Sequence, residues 1–232
     1  MILFCMDTSG PVAGVALMED GAVRYEAMAV NRLTHSRSIL PMTEEAFEKT
    51  GLKIEDTDYF AVVSGPGSFT GVRIGVSTVK GLAHALNRPC IAVDALEAMA
   101  RGCILYDGVI CPIQDARAGQ VYGAAFRGGT GERLLADEPI KLEDYLEKVA
   151  ALGDRLLFLG DGMPVHRERI AALIPEKAQF APAHLAYLRP ASAAALAWEK
   201  REAAVDFRKL SPMYLRPPQA ERQKNLKERS NA

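Results

Sequence analysis

A chain of 232 residues has room for one large domain or two small ones. Its 49% hydrophobic and 25% charged residues are those of an ordinary soluble globule. A net charge of −1 excludes a general attraction to nucleic acid or to acidic membranes. The first residues, Met1-Ile-Leu-Phe-Cys-Met6, are apolar but end at Asp7 without a basic flank. They read as a buried strand, too short for a secretory leader or a membrane span.

Residues 12–18 and 23–29 continue as hairpin strands around Asp20-Gly21. A helix follows to about Thr50, stopped by Gly51. The apolar run 59–64 is a strand, 71–86 a long helix, 90–93 a strand and 95–101 a short helix. The order βββαβαβα then repeats, with strands at 109–115, 120–126 and 132–138 and a helix near 142–151. A strand at 156–160, a helix at 164–173, a short strand at 178–180 and an Ala-rich helix at 191–200 complete it. Two such units describe the duplicated ribonuclease-H-like α/β fold of actin, Hsp70 and sugar kinases (ASKHA). The expected subdomains are 1–103 and 104–215, with a basic, disordered tail over 216–232. The cysteines, Cys5, Cys90, Cys103 and Cys111, form no Cys-x-x-Cys pair and read as reduced core residues of a cytoplasmic protein.

The segment Ser64-Gly-Pro-Gly-Ser-Phe-Thr-Gly71 joins the strand 59–64 to the helix 71–86. It fails the Walker phosphate loop, having Thr70 where Gly is required, and fails the dinucleotide fingerprint and the serine-hydrolase elbow as well. Two readings stand: a tight glycine turn, or a helix N-terminus offering free N–H groups to an anion. Along the helix, Val72, Val76, Val79, Ala83 and Leu86 form the core face. The opposite side, with Gly71, Ile74, Ser77, Thr78, Gly81 and Ala85, has no charge and little bulk, while Arg73, Lys80 and His84 fall on one flank. On residues 35–48, His35, Ile39, Leu40, Met42, Ala46 and Phe47 cover an arc of about 160°, wide for a helix with one buried side. Pro41 makes this helix start near Ser38 or bend. The two helices together suggest a docking surface that a partner's helices would complete into a four-helix bundle.

Other chemistry is sparse. Asp7-Thr8-Ser9-Gly10 and Asp115-Ala116-Arg117 end the first strands of the two halves, where this fold holds phosphates. Asp7, Thr8 and Ser9 are candidates for a metal-bound water and a phosphate, or plain turn formers; the second place lacks glycines. His35, His84, His166 and His184 have no metal-ligand spacing, since four residues after His35 stands Ile39. Asp161-Gly-Met-Pro-Val-His166 reads as a loop before a helix, in the position of a nucleotide's adenosine end.

Asp7-Thr8, His35-Ser36 with Leu40-Pro41, Gly65-Pro-Gly-Ser-Phe-Thr-Gly-Val-Arg-Ile-Gly75, Asp115-Ala-Arg117 with Val121-Tyr122, and Pro212-Met-Tyr-Leu-Arg216 together resemble the TsaB (YeaZ) family, from residue 1 to about 216. The resemblance implies a bacterial, non-catalytic subunit that works with TsaD and the ATPase TsaE. Their complex uses ATP and Mg²⁺ to place threonylcarbamoyl on the adenosine beside the anticodon of tRNAs reading codons that begin with A. No cofactor is expected to bind tightly to this chain. TsaD carries the active site, and its metal-binding His-x-x-x-His would need His at Ile39. The implied TsaD interface, used for a homodimer when the chain is alone, comprises His35, Ile39, Met42, Ala46, Gly71, Ile74, Thr78, Gly81 and Ala85. The rival reading is an independent small-molecule phosphotransferase with Asp7 as metal or base residue. A tRNA-binding module resting on the tail is a third.

Overall fold

The computed structural model describes residues 1–30 and 35–216; the tail reading over 217–232 lies outside the described residues. Strand β1 (Ile2–Asp7) is buried along its whole length, pairing antiparallel with β2 (Val12–Glu19) and parallel with β4 (Tyr59–Gly65). An unbroken apolar run marks such a central strand because both of its faces are covered. The hairpin from β2 to β3 (Ala22–Val30) turns at Asp20 and Gly21, with φ of 49° and 83°. This left-handed pair matches the twist of the flanking strands. Helix α1 (His35–Thr50), helix α2 (Phe69–Leu86), strand β5 (Cys90–Asp94) and helix α3 (Ala95–Gly102) complete a sheet of order β3-β2-β1-β4-β5.

The second half repeats the first. Strands β6 (Val109–Asp115), β7 (Gln120–Arg127), β8 (Arg133–Lys141), β9 (Leu156–Leu159) and β10 (Ala178–Phe180) form a sheet of order β10-β9-β6-β7-β8. Helices α4 (Leu142–Ala150), α5 (Gly162–Leu173) and α6 (Pro190–Glu199) accompany it. In each sheet the first strand of the unit lies between an antiparallel hairpin and a parallel strand. That topology is the duplicated ribonuclease-H-like fold.

Three cores lie between the layers, the central one on both sides of the middle layer of helices. Phe4 and Met6 point from β1 to α1 and α2, among Val72, Val76 and Val79. Leu3 and Cys5, on the other face, join a central core with α3, α6 and residues Ile110 and Phe126 of the second sheet. Cys111, Ile113 and Phe158 face α4 and α5. Helix α6 packs on the first sheet, α3 on the second, so each half lends a helix to the other. Beyond α6 the chain returns to the first half: Val205 bridges Cys90, and the Met213 N–H donates to the Ser64 carbonyl at 2.8 Å. All four cysteines are free and buried. No helix among the described residues is long and apolar enough to cross a membrane.

Two helix boundaries differ from the expectation. Helix α2 begins at Phe69 because the Ser68 hydroxyl caps it, accepting from the Gly71 N–H at 3.3 Å. Helix α1 is helical from His35, with Pro41 inside it. The missing Pro41 N–H falls opposite the carbonyl of Arg37, an exposed residue in the third position of the helix.

Candidate functional site

Four turns meet at a cleft of about 560 Å³ between the halves. The turn after β1 and the turn before α2 are locked together. The Ser68 N–H donates to the Ser9 carbonyl at 2.7 Å, and the Thr8 hydroxyl donates to the Gly71 carbonyl at 2.7 Å. A Cβ on Gly67 would overlap the Ser9 carbonyl oxygen, and one on Gly71 the Thr8 carbonyl oxygen. The glycines are therefore places where two backbones touch. The N–H groups of Ser68 and Gly71 are engaged within the chain, which favours the turn reading over the anion site.

Acidic groups lie beneath the cleft, where Asp7, Gln114 and Asp161 line a small cavity of about 10 Å³. Asp7 is 1% exposed, and its Oδ1 accepts from both the N–H and the hydroxyl of Ser9, at 2.8 and 2.7 Å. Burial pushes its carboxyl up to about 6; those hydrogen bonds and the nearby His35 pull the other way. Asp161, at the start of α5, is also pushed up to about 6, by burial first and by the charges of Asp115 and Asp7 as well. Its Oδ1 has no partner among the described residues, and neither do Gln114 Oε1 and His166 Nε2, although the latter lies 3.5 Å from Asp115 Oδ1. The sequence places Asp161 in a loop before a helix, in the position of a nucleotide's adenosine end. The signal for its role is the Gly160-Asp-Gly162 run: Cβ atoms on these glycines would crowd the backbone from Ile113 to Asp115. This turn approaches the end of β6 as Gly67 approaches Ser9. The β6–β7 turn carries Arg117, Ala118 and Gly119 at φ of 64°, 51° and 71°. Two consecutive non-glycine residues there are strained, and Arg117 lines the cleft in place of the glycines a phosphate turn would need.

The expected docking residues divide. Ile39, at 1% exposure, and Ala46, at 0%, belong to the core beneath α1, and Gly71 is buried under Thr8. These three are corrected: they face the chain's own interior and offer no side chain to a partner. Met42 is half-buried against the same core. His35 Nε2 lies 2.8 Å from the Gly10 carbonyl, tying α1 to the turn after β1. Gly81 and Ala85 are exposed, Ile74 and Thr78 half-exposed, and a Cβ on Gly81 would meet nothing within 4 Å. Leu40, on α1, is 48% exposed. No group of His, Cys, Asp and Glu among the described residues has the geometry to hold a metal ion.

The Pro212–Arg216 motif crosses the cleft mouth (residues 212–216). Tyr214 stacks on Phe69 with ring centroids 5.0 Å apart, and Arg73 Nε donates to the Tyr214 hydroxyl at 2.7 Å. Arg216 hydrogen-bonds to Gln120 of the second half and lies 5.7 Å from the Tyr122 ring centroid.

The tRNA threonylcarbamoyladenosine biosynthesis protein TsaB of Bacillus subtilis (strain 168) is 34% identical to this chain over 223 residues, 95% of this chain and 96% of the relative. The chain belongs to the TsaB (YeaZ) family. The TsaB of Escherichia coli (strain K12) is 36% identical over 167 residues, 70% of this chain and 72% of its own. The solved structure of YeaZ from Pseudomonas aeruginosa superposes with a TM-score of 0.74 at 30% identity, covering 92% of this chain and 99% of that one. The family model described as "TsaD: tRNA N6-adenosine threonylcarbamoyltransferase" matches residues 30–224, so the TsaB sequence also falls within that wider family. A transferase so named from Kosmotoga olearia is 30% identical over 111 residues, 41% of this chain and 34% of its own.

Proposed function

We propose that this chain is a non-catalytic subunit in the formation of threonylcarbamoyladenosine in tRNA, docking on TsaD and working with TsaE in the cytoplasm. The observation that carries the docking is the outer face of α2. Thr70, Ile74, Ser77, Thr78, Gly81 and Ala85 are exposed or half-exposed there without a single charge. An exposed helix normally carries charge on its outer face; small neutral residues suit close approach by another helix. The corrected interface is Ile74, Thr78, Gly81 and Ala85 on α2, with Leu40 and Met42 at its edge. The same surface serves a homodimer when the chain is alone. ATP and Mg²⁺ belong to the complex in this reading. A second reading, an independent phosphotransferase, draws on Asp7 and Asp161, whose carboxyls are held near neutrality beneath the cleft. The side chains at Arg117 and Ala118 weigh against it.

The test combines association and turnover. Ala85→Glu and Thr78→Arg proteins should keep the parental melting temperature but lose binding to TsaD and activity in the reconstituted complex. A charge buried unpaired at an interface costs several kcal/mol, while in solvent it is within about 0.5 kcal/mol of neutral. Parental affinity for TsaD in both variants would refute the docking face. ATP turnover by the purified chain with small acids or sugars, abolished by Asp7→Ala, would establish the second reading instead.

A further inference from the structure

The net charge of −1 conceals a separation of charge. Residues 59–93 contain no Asp or Glu, and neither do residues 207–220, in a chain that holds 29 acidic residues. The structure lays the described parts of these two stretches side by side. Lys80 Nζ donates to the Leu210 carbonyl at 3.1 Å, Arg73 bonds Tyr214, and the His84 ring lies 4.7 Å from that of Phe207. At the far end Arg216 bonds Gln120, whose N–H donates to the Arg117 carbonyl. The result is a line of cations: Lys209, Lys80, Arg73, Arg216 and Arg117. None of them has a carboxylate within 4.0 Å among the described residues, whereas most cations of the second half, such as Arg127, Arg133 and Lys148, do. Tyr214, 41% exposed, interrupts the line with an aromatic face. Past the short helical turn Phe207–Lys209, residues 210–216 span at most roughly 23 Å, several phosphate spacings along a nucleic-acid strand.

We infer that this stripe is a contact for the phosphate backbone of a structured RNA, the tRNA of the complex. The inference rests on the function proposed above and adds to it the part of this chain that touches RNA. A row of cations without carboxylate partners, with an exposed aromatic among them, suits a polyphosphate strand with stackable bases. An acidic membrane would instead call for exposed apolar side chains around the cations, and the stripe offers none besides the tyrosine. The stripe runs along the flank of α2, beside the uncharged docking face, so RNA held there lies next to the docked subunit.

The test uses Lys209→Glu with Arg117→Glu. Both side chains are exposed and make no hydrogen bond or ion pair among the described residues, so the fold should be unaffected. A Lys148→Glu with Arg155→Glu protein carries the same charge change elsewhere. Binding of a fluorescent tRNA is measured by anisotropy on the TsaD complex over a range of salt. Each phosphate contact contributes about one to the slope of log affinity against log salt. The stripe variant should therefore bind at least about tenfold more weakly at 0.1 M salt, with a slope shallower by about two, while assembling with TsaD normally. The control variant should behave as the parent, and vesicles of anionic lipid should not bind. Parental affinity and slope in the stripe variant overturn the inference. So does vesicle binding that the variant loses while its tRNA binding stays intact. Failure of the parental chain to assemble with TsaD would refute the docking proposal separately. The same titration is then read on the chain alone at low salt, where tRNA binding that the stripe substitutions leave unchanged, or no binding at all, overturns the stripe.

Discussion

Replacing Asp7 by Asn should stabilise this protein at neutral pH and do nothing at acid pH. The Asp7 carboxyl is 1% exposed and is held at about 6 instead of the ordinary 3.8, chiefly by burial. At 1.36 kcal/mol per pH unit of difference, keeping it ionised in the fold opposes folding by about 3 kcal/mol. The sign follows from linkage. Below pH 3.8 the group is protonated in both states and has no effect. Between there and pH 6 the unfolded chain releases a proton that the folded chain keeps, so stability falls as pH rises. Above about pH 6 the full loss remains. Asn retains an acceptor for the Ser9 N–H and hydroxyl, and brings an amide donor to a small cavity where Gln114 Oε1 and Asp161 Oδ1 lack partners. It also removes one of the charges that raise Asp161. Urea unfolding at pH 7.5 should show the Asn protein more stable by up to about 3 kcal/mol, the gap closing towards pH 4. An Asn protein no more stable than the parent at pH 7.5, or a gap that does not change with pH, would show that the charge is already compensated.

Helix α2 offers a paired test, because one substitution should have opposite effects at two of its glycines. Gly81→Ala puts a methyl into open space on an exposed helical turn and should stabilise the isolated chain by about 0.5–1 kcal/mol. Gly71→Ala has the same helical gain but drives Cβ into the Thr8 carbonyl, and thermal denaturation should show a net loss of about 1–3 kcal/mol. Equal effects would mean that the turn after β1 does not sit on α2. A second acid pair, Asp94 and Asp137, joins β5 to β8 beside Arg133. Burial and the neighbouring Asp94 carboxyl raise Asp137 well above the usual carboxylate range, despite Arg133. Its contribution is thus present at acid pH and lost as pH rises. Asp137→Asn should raise the melting temperature by a few degrees at pH 8 and leave it unchanged at pH 4.

The order of elements was legible because each local signal pointed one way. Residues 2–7 are apolar without interruption, Asp20-Gly21 makes a two-residue turn, and the valines of α2 recur at helical spacing. Angles around a helix axis were less informative about neighbours. Gly71 and Gly81 lie about 80° apart on the helical projection, both off the valine face, and both look like bare patches for a partner. One is covered by Thr8 and the other by nothing, a difference set by a turn more than sixty residues away in sequence. Ile39 and Ala46 were misplaced for a related reason: a wide apolar arc shows how much of a helix is covered, not whether its own chain or another covers it.

The acids beneath the cleft show why half of the site escaped the sequence. Asp7 follows a strand and precedes Thr-Ser-Gly, so its position at a strand end could be read directly. Asp161 precedes a helix, where an Asp is ordinarily a cap, yet its side chain makes no capping bond to α5. The flanking glycines reverse the reading. Gly160, at φ of 98°, and Gly162 let this turn press on the backbone of β6, as Gly67 lets its own turn press on Ser9. Both halves close their first strand with a glycine-bearing turn, and the second of these turns brings Asp161 to the small cavity that Asp7 lines. The duplication therefore identifies the second acid, and it does so through backbone contacts that no side-chain motif records.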